Sequence, residues 1–491
     1  MFESAELGHT IDDKTYKAKA TKLRADLLDV QYRLLEHAKF PVVVLINGVE
    51  GAGKGETVNL LGEWMDPRLI RAIAFGAPSE DERARPPMWR YWQALPPKGR
   101  IGVLFGSWYT EPIVQRAAKD ISQADFDQRL EHLVHFERML AADGALLLKF
   151  WFHLSKDAQR KRLKQLERDK DTRWRVTKGD WKAFDRYDTY RNVSERALRI
   201  TSREEAPWTV VEGADANYRN LTVGTTLRDA IAARLAQKQP KVSSHAAPIE
   251  RPIDGVERLQ ALKFTERLSK EKYEKQLPKV QRRLHELTMH PKFKERSVIV
   301  VFEGNDAAGK GGAIRRITGA LDARHYRVIP IAAPTEEERA QHYLWRFWRH
   351  MPKVGSFTIF DRSWYGRVLV ERVEGFATQD AWMRAYSEIN DFEEQLATAG
   401  GILVKCWLAV TKDEQLRRFK ERERTRFKRF KITQEDWRNR DKWGAYEQAA
   451  NDMLERTSSD VAPWTIIEAN DKHLARIRTL TTLCDAIEAR L

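Results

Sequence analysis

The stretch VIVVFEGNDAAGKGGAIRRI, from Val298 to Ile317, joins an apolar run to a glycine-rich turn and a helix-like segment. Gly304, Gly309 and Lys310 in it fit the pattern G-x-x-x-x-G-K. This order predicts a strand, a loop and a helix. The N–H groups of such a loop turn toward one concavity, and the helix N-terminus adds positive potential, so we expect the loop to bind phosphate.

An earlier stretch, VVVLINGVEGAGKGETVNLL from Val42 to Leu61, has the same order of features. Gly48 and Gly304 are 256 positions apart, and the same separation relates Lys149 to Lys405. A separation that stays constant along the chain indicates that a whole domain is repeated with almost no insertion.

The repeat predicts two domains, over residues 1–238 and 256–491, joined by a linker over 239–255. The linker is polar and rich in proline and serine. Within each copy, short apolar runs alternate with helical patterns, which favours a parallel sheet covered by helices on both faces. We therefore expect an α/β protein made of two tandem three-layer α/β/α domains.

Composition narrows the class of protein. A net charge of +15 suits a polyanion partner, such as nucleic acid, a phosphate chain or a membrane surface, but it also suits a solvated basic surface. No apolar run approaches the roughly 18 residues of a membrane span, and the first residues lack the pattern of a signal peptide, so we expect a cytoplasmic protein. Cys406 and Cys484 lie in apolar stretches, which predicts buried, reduced thiols.

Two acids are candidates to hold a metal ion. The Ser or Thr that usually follows the loop lysine and binds Mg²⁺ is replaced by Gly311. Asp306 lies inside the loop, and Asp361 ends the apolar run SFTIF. An acid at that strand end suits a phosphate-transfer site, so we expect both to hold Mg²⁺.

Several segments together resemble the family-2 polyphosphate kinases: FEGNDAAGKGG, FDRSWYGRVLVERVEGF, KCWLAVTKDEQLRRF, FKRFKITQEDW and APWTIIEANDK. The duplication is similar to the two-domain class of that family, the polyphosphate:AMP phosphotransferases. The resemblance implies P-loop kinase-like domains, each with a helical lid, and direct in-line transfer of phosphate from polyphosphate to AMP, giving ADP. It implies Mg²⁺ as cofactor, with Mn²⁺ left open, and polyphosphate and AMP or ADP as partners rather than nucleic acid or a membrane. A homo-oligomer is left open.

The resemblance implies a site in the second copy. The expected catalytic residues are Asp306, Lys310, Asp361, Arg362 and Arg367. The loop residues expected to contact phosphates are Gly304, Ala308, Gly309, Gly311 and Gly312. Arg346 and Glu371 are candidates for contact with the nucleotide.

A basic segment from Arg417 to Lys431 follows a late strand. Charge alone predicts a solvated helix with internal Glu/Arg pairs. Its place after that strand, and the match of Lys428 and Lys431 to lid positions of the family, favour a lid. The lid cations expected to line a channel for a phosphate chain are Arg418, Arg422, Lys428 and Lys431.

The two copies differ at the predicted site. The first has Phe105, Gly106, Glu111 and Gln115 where the second has Asp361, Arg362, Arg367 and Glu371. Loss of a metal-binding acid and of cations removes stabilisation of the charge on a moving phosphoryl group. We therefore predict a degenerate first domain and a catalytic second domain.

Two other functions stay open from sequence. An ATP-dependent nucleoside monophosphate kinase would use the same loop, and a non-enzymatic polyanion-binding protein would use only the basic surface. The sequence also leaves open the preference between AMP, GMP and diphosphates.

Overall fold

The computed structural model describes residues 1–237, 258–426 and 432–491. They form two compact units. The first contains residues 1–78, 90–237 and 336–342, and the second contains residues 79–89, 258–335, 343–426 and 432–491. The predicted linker, Lys428 and Lys431 lie outside the described residues.

The first copy of the repeat contains five strands and ten α-helices within the described residues. Its strands are β1 (Val42–Gly48), β2 (Ile70–Ala74), β3 (Ile101–Phe105), β4 (Leu146–His153) and β5 (Trp208–Glu212). Its helices are α1 (Asp13–His37), α2 (Lys54–Trp64), α3 (Glu80–Arg83), α4 (Trp89–Ala94), α5 (Thr110–Ala118), α6 (Gln123–Ala142), α7 (Lys156–Arg168), α8 (Lys178–Asp185), α9 (Tyr187–Thr201) and α10 (Ala216–Ala236).

The second copy repeats this order. Its strands are β6 (Ser297–Gly304), β7 (Tyr326–Pro330), β8 (Phe357–Asp361), β9 (Gly401–Ala409) and β10 (Trp464–Glu468). Its helices within the described residues are α11 (Lys270–Met289), α12 (Lys310–Thr318), α13 (Glu336–Arg339), α14 (Trp345–Trp348), α15 (Val370–Val373), α16 (Gln379–Thr398), α17 (Lys412–Arg424), α18 (Gln434–Asp441), α19 (Trp443–Arg456) and α20 (Lys472–Glu488).

Each copy forms one parallel sheet of five strands. The orders are β2-β3-β1-β4-β5 and β10-β9-β6-β8-β7, so the two sheets have the same topology. The central strands β1 and β6 are buried almost throughout, because helices pack on both faces. The predicted α/β class with two parallel sheets is confirmed.

The register of the second sheet places the predicted acids at one edge. Phe302 of β6 pairs with Asp361 of β8, so the chain leaves both strands at the same level. The loop after β6 and the turn after β8 therefore begin side by side at the carboxyl edge of the sheet. This edge is where ligands bind in open α/β sheets.

Candidate functional site

The loop after β6 has a backbone that requires glycine at its start. Gly304 has φ +133°, and a Cβ there would lie 2.2 Å from the carbonyl oxygen of Leu408 on β9. Gly309 has φ +113° and precedes the first residue of α12, Lys310. The two glycines therefore let the chain turn sharply from strand to helix.

The loop presents free backbone donors at the start of α12. Five N–H groups of this loop have no hydrogen-bond partner among the described residues, those of Asp306, Ala307, Gly309, Lys310 and Gly311. They suit an anion at a helix N-terminus. The other predicted donors are used internally: Ala308 N–H donates to Asn305 O (3.1 Å), Gly312 N–H donates to Gly309 O (2.9 Å), and Gly304 is part of the strand ladder.

Lys310 lies across the base of the loop. Its Nζ donates to the carbonyl oxygens of Gly304 (2.9 Å) and Asn305 (3.3 Å). Burial lowers the pKa of Lys310, and the nearby charge of Arg362 lowers it further. The carboxylates of Asp306 and Asp361 act in the opposite direction, which places both acids within electrostatic reach of the lysine.

Asp306 is held by two donors from other parts of the fold. Arg362 Nη2 donates to Oδ1, and Asn439 Nδ2 of α18 donates to Oδ2 at 3.0 Å. Burial alone would raise the pKa of Asp306, but the charges of Arg362 and Lys310 and the Asn439 hydrogen bond hold it below its usual range. The loop acid therefore stays ionised.

Arg362 has a left-handed backbone, with φ +66°. Such a conformation is uncommon and costly for a residue with a side chain. The first copy has Gly106 at this position with φ +71°, so the fold imposes the turn in both copies. An arginine in this position indicates that its side chain has a use that outweighs the strain.

Glu303 is a buried acid that sequence reasoning missed. It is the last residue but one of β6, directly before Gly304, and its Oε1 accepts a hydrogen bond from Ser363 Oγ at 2.8 Å. Burial raises its pKa, against the charges of Arg362 and Lys310. A charged residue at the end of an otherwise apolar strand was the available signal.

Two other predicted residues form an ion pair with each other. Arg367 Nη1 lies 3.2 Å from Glu371 Oε2, and its guanidinium lies over the ring of Tyr343. Among the described residues, no hydrogen bond or ion pair joins this pair to Asp306 or Lys310. Arg346, proposed for the nucleotide, donates to the carbonyl oxygen of Ala332 at 3.1 Å.

The structure places Arg418 elsewhere than predicted. Its side chain is only 3% exposed and lies beneath the loop. The guanidinium donates to four carbonyl oxygens, those of Ala307, Ala308, Ala469 and Asn470, and to Glu414. Because all its donors are used, Arg418 supports the loop backbone and does not line an open channel. Arg422, one turn further along α17, is partly exposed.

The carboxylates fit a hard divalent ion. Within residues 1–237, 258–426 and 432–491, no group of three or more His, Cys, Asp or Glu side chains could hold a metal. Mg²⁺ in phosphate-transfer sites, however, is usually bound by one or two carboxylates together with substrate phosphates and water. Asp306 and Asp361, beside free N–H groups, provide such a set.

The first copy keeps the loop, but two of its own acids pair with the cations in and around the loop. Lys54 Nζ donates to Gly48 O (2.8 Å) and Val49 O (3.1 Å), and pairs with Glu50 at 3.1 Å. A second acid, Glu56, lies in the first turn of α2. Three arginines bind its carboxylate, Arg162 (3.1 Å), Arg175 (3.4 Å) and Arg219 (2.9 Å).

Both cysteines are free and buried, as the sequence predicts. No helix in the described ranges is both long and apolar enough to cross a membrane.

Comparison with known proteins shows which proteins the chain is similar to. A sequence model of the family described as Polyphosphate kinase 2 matches the chain twice, over residues 10–239 and 267–491. The chain is 56% identical to a polyphosphate:AMP phosphotransferase of Pseudomonas aeruginosa, covering 100% of this chain and 99% of that protein. It is 39% identical to a protein of the same name from Acinetobacter johnsonii, covering 95% and 96% of the two chains.

A solved structure has the same fold. The crystal structure of a protein from Pseudomonas aeruginosa, described as a polyphosphate kinase 2, superposes with a TM-score of 0.89 at 53% sequence identity. The superposition covers 100% of this chain and 99% of that one.

Proposed function

The chain belongs to the polyphosphate kinase 2 family, and from this premise we propose that it transfers a phosphoryl group from inorganic polyphosphate to AMP, giving ADP. The observation that carries the proposal is the cluster at the end of β6 and β8. There, Lys310, Asp306 and Arg362 lie in contact or within electrostatic reach of one another beside Asp361. The relatives that share the full length of the chain are named for this reaction.

The second copy is the proposed catalytic domain, and the first is the proposed degenerate domain. In the second copy the loop lysine lies within electrostatic reach of Arg362, Asp306 and Asp361. In the first copy, Phe105 and Gly106 replace Asp361 and Arg362. Its loop lysine, Lys54, is paired with Glu50, and Arg219 of α10 is paired with Glu56.

The proposed transfer is direct. A phosphate oxygen of AMP attacks the terminal phosphorus of polyphosphate, the new P–O bond gives ADP, and the bridging P–O bond breaks to release the shortened chain. No proton transfer is needed, because the attacking oxygen of AMP is already ionised near neutral pH.

Each residue group of the second copy has a role in this transfer. The free N–H groups from Asp306 to Gly311 bind phosphate oxygens, and Lys310 and Arg362 neutralise charge that spreads over the moving phosphoryl group. Asp306 and Asp361 would hold Mg²⁺, with Mn²⁺ as the alternative ion. When bound, the ion neutralises and orients phosphate oxygens.

The remaining predictions belong to the same proposal. Arg367 and Glu371 lie on the segment that follows Arg362, so they are proposed to contact substrate only if their mutual ion pair opens. Arg422, Lys428 and Lys431 stay predicted contacts for the phosphate chain. Arg418 is left out, because its donors are occupied. A cytoplasmic location is consistent with two free thiols.

The test is a donor assay on the full chain. AMP with polyphosphate is expected to give ADP, and AMP with ATP is the control. Asp361→Asn should abolish turnover, whereas Asp322→Asn, which changes an acid of a surface ion pair in the same unit, should leave it unchanged. Formation of ADP from AMP with ATP, but not with polyphosphate, would indicate an ATP-dependent nucleoside monophosphate kinase. Polyphosphate binding without turnover from either donor would indicate a polyanion-binding protein.

A further inference from the structure

Asn439 lies far along the chain from the loop yet contacts its acid. It belongs to α18, 133 positions after Asp306, and its Nδ2 donates to Asp306 Oδ2 at 3.0 Å. An ionised carboxylate can only accept hydrogen bonds, so the amide NH₂ must face Asp306 and the amide oxygen must point away. The orientation of the Asn439 side chain is thereby fixed.

The amide oxygen of Asn439 has its own partner. The Tyr446 hydroxyl of α19 lies 3.0 Å from Asn439 Oδ1 and 3.3 Å from Glu374 Oε1. Glu374 caps the C-terminal end of α15, and its side chain is 6% exposed. The hydroxyl has one proton and can donate it to only one of these two oxygens at a time, so Tyr446 lies between two acceptors. The chain of contacts therefore runs from Glu374 through Tyr446 and Asn439 to Asp306.

Two cations bind Glu374, the residue at the far end of this series of contacts. Lys442 Nζ lies 2.8 Å and Arg438 Nε lies 3.3 Å from Glu374 Oε2. Both belong to the α18–α19 segment that also carries Asn439 and Tyr446. The segment thus contacts α15, which follows Asp361 and Arg362, through Arg438, Lys442 and Tyr446, and it contacts the loop after β6 through Asn439.

The first copy lacks this arrangement. Its residues at the positions of Asn439 and Glu374 are Ala183 and Ala118, and the tyrosine alone is kept, as Tyr190. The polar contacts are absent in the copy that has also lost Asp361 and Arg362. If they served only to pack α18, the first copy, which has the same helices, would need them equally.

We propose that Asn439 is a positioning residue for the reaction, which holds the Asp306 carboxylate in one orientation through Oδ2 while Arg362 holds Oδ1, and that Tyr446 and Glu374 hold Asn439. The inference rests on the proposed function. A fixed carboxylate presents its remaining lone pairs to an ion or phosphate group without reorganisation, whereas a carboxylate held on one side only can rotate.

The first measurement uses Asn439→Ala in the full chain, with AMP, polyphosphate and a titration of Mg²⁺. Removal of a residue that orients a metal ligand usually changes activity or metal affinity by about 10–100-fold. We expect kcat to fall within that range and the half-saturating Mg²⁺ concentration to rise by about tenfold. The melting temperature should stay close to that of the wild type, since Asn439 is only partly buried.

Tyr446→Phe and Tyr190→Phe form a matched pair. Each removes one hydroxyl from equivalent positions, but only Tyr446 contacts an asparagine and a glutamate. Tyr446→Phe should raise the half-saturating Mg²⁺ concentration by a smaller factor than Asn439→Ala does. Tyr190→Phe should change nothing.

Direct binding of Mn²⁺, measured by paramagnetic resonance in the presence of tripolyphosphate, gives a readout independent of turnover. Weaker binding to Asn439→Ala than to the wild type supports the inference. Unchanged metal dependence and unchanged Mn²⁺ binding overturn it, as does equal loss in Tyr446→Phe and Tyr190→Phe. A wild-type chain without turnover from polyphosphate would reject the proposed function instead, and the Mn²⁺ comparison would still decide the role of Asn439.

Discussion

The two glycine loops have nearly the same backbone, but their charged side chains have different partners. Each loop lysine donates to the carbonyl oxygens of the two residues that begin its loop. In the first copy, Glu50 pairs with Lys54 directly. In the second copy, the loop acid Asp306 is held by Arg362 and Asn439. The loop lysine is thus paired with an acid of its own loop in the first copy, whereas the loop acid of the second copy is paired with Arg362. This difference leads us to expect phosphate binding at the second loop.

The arginine beneath each loop also has different partners in the two copies. Arg418 in the second copy is directed to the loop carbonyls by Glu414. Its counterpart Arg162 has Ala158 in place of that acid, and it binds Glu56 instead. The second copy has Gly312 at the position of Glu56, which leaves the helix N-terminus open. The same scaffold thus uses its arginines to support a site in one copy and to neutralise an acid in the other.

The largest expected contrast is between the two loop lysines. Lys310→Met should lower kcat/KM about 1,000-fold, roughly 4 kcal/mol, because a cation at the moving phosphoryl group is lost. Lys54→Met should leave activity unchanged and lower only stability, since Lys54 Nζ makes three internal contacts. Steady-state kinetics of both variants measures the contrast. Equal losses of activity would show that the first copy takes part in catalysis.

A buried ion pair that both copies share should affect stability in both. Lys405 Nζ lies 2.6 Å from Glu393, and Lys149 Nζ lies 2.6 Å from Glu137. Glu393→Gln and Glu137→Gln each leave a buried lysine without its counter-ion, at a cost of about 3 kcal/mol.

Calorimetry of the full chain should show this loss of stability for each variant. If the two units unfold separately, each variant should lower the transition of its own unit. A variant that leaves the unfolding profile unchanged would contradict the proposed energetic role of the pair.

The next contrast concerns the left-handed turn that follows β3 in the first copy, at Gly106, and β8 in the second copy, at Arg362. Arg362→Gly should lower kcat about 100-fold, roughly 2.7 kcal/mol, because Asp306 and the substrate phosphates lose a cation. Gly106→Ala places a side chain at φ +71° in the first copy. It should cost about 1 kcal/mol of stability without loss of activity. Kinetics and thermal unfolding together test the pair, and full activity of Arg362→Gly would refute the assignment.

The smallest effect concerns acid stability. Burial would raise the pKa of Glu414, but Arg417 and Arg418 lower it from 4.5 to about 2. A lowered pKa in the folded state means that ionised Glu414 stabilises the protein above pH 4.5, and that this contribution is lost as the pH falls toward 2.

Glu414→Gln should therefore reduce stability at pH 7 and make the pH dependence between these values shallower. Ala158→Gln, at the equivalent position of the first copy, should not change that dependence. Thermal unfolding across the pH range measures both slopes, and equal slopes for Glu414→Gln and the wild type would contradict the pKa shift.

Much of the fold was predictable because it is encoded locally. The apolar runs before Gly48 and Gly304 are strands, and the helices after them begin at Lys54 and Lys310. The meeting of Asp361 with the loop also follows from a general rule, since parallel strands end at one edge of a sheet. Asp306, Lys310 and Arg362 were predicted as one set, and the structure brings them together.

The rest depended on packing. The charge of Arg418 suggested an exposed channel, but only the structure shows that four carbonyl oxygens surround it. Asn439 and Tyr446 do not belong to a recognisable sequence motif. The only sequence signal for Asn439 was that the first copy has Ala183 at the equivalent position.

The sequence by itself determined the repeat, the two parallel sheets and the copy that keeps the predicted site residues, because strand patterns and loop glycines act over a few neighbouring residues. Only the tertiary structure decided which charges neutralise one another. Arg219 lies 2.9 Å from Glu56 although the two residues are 163 positions apart, and Arg362 contacts Asp306 across 56 positions. At such distances in a partly buried site the interaction decides the local electrostatics.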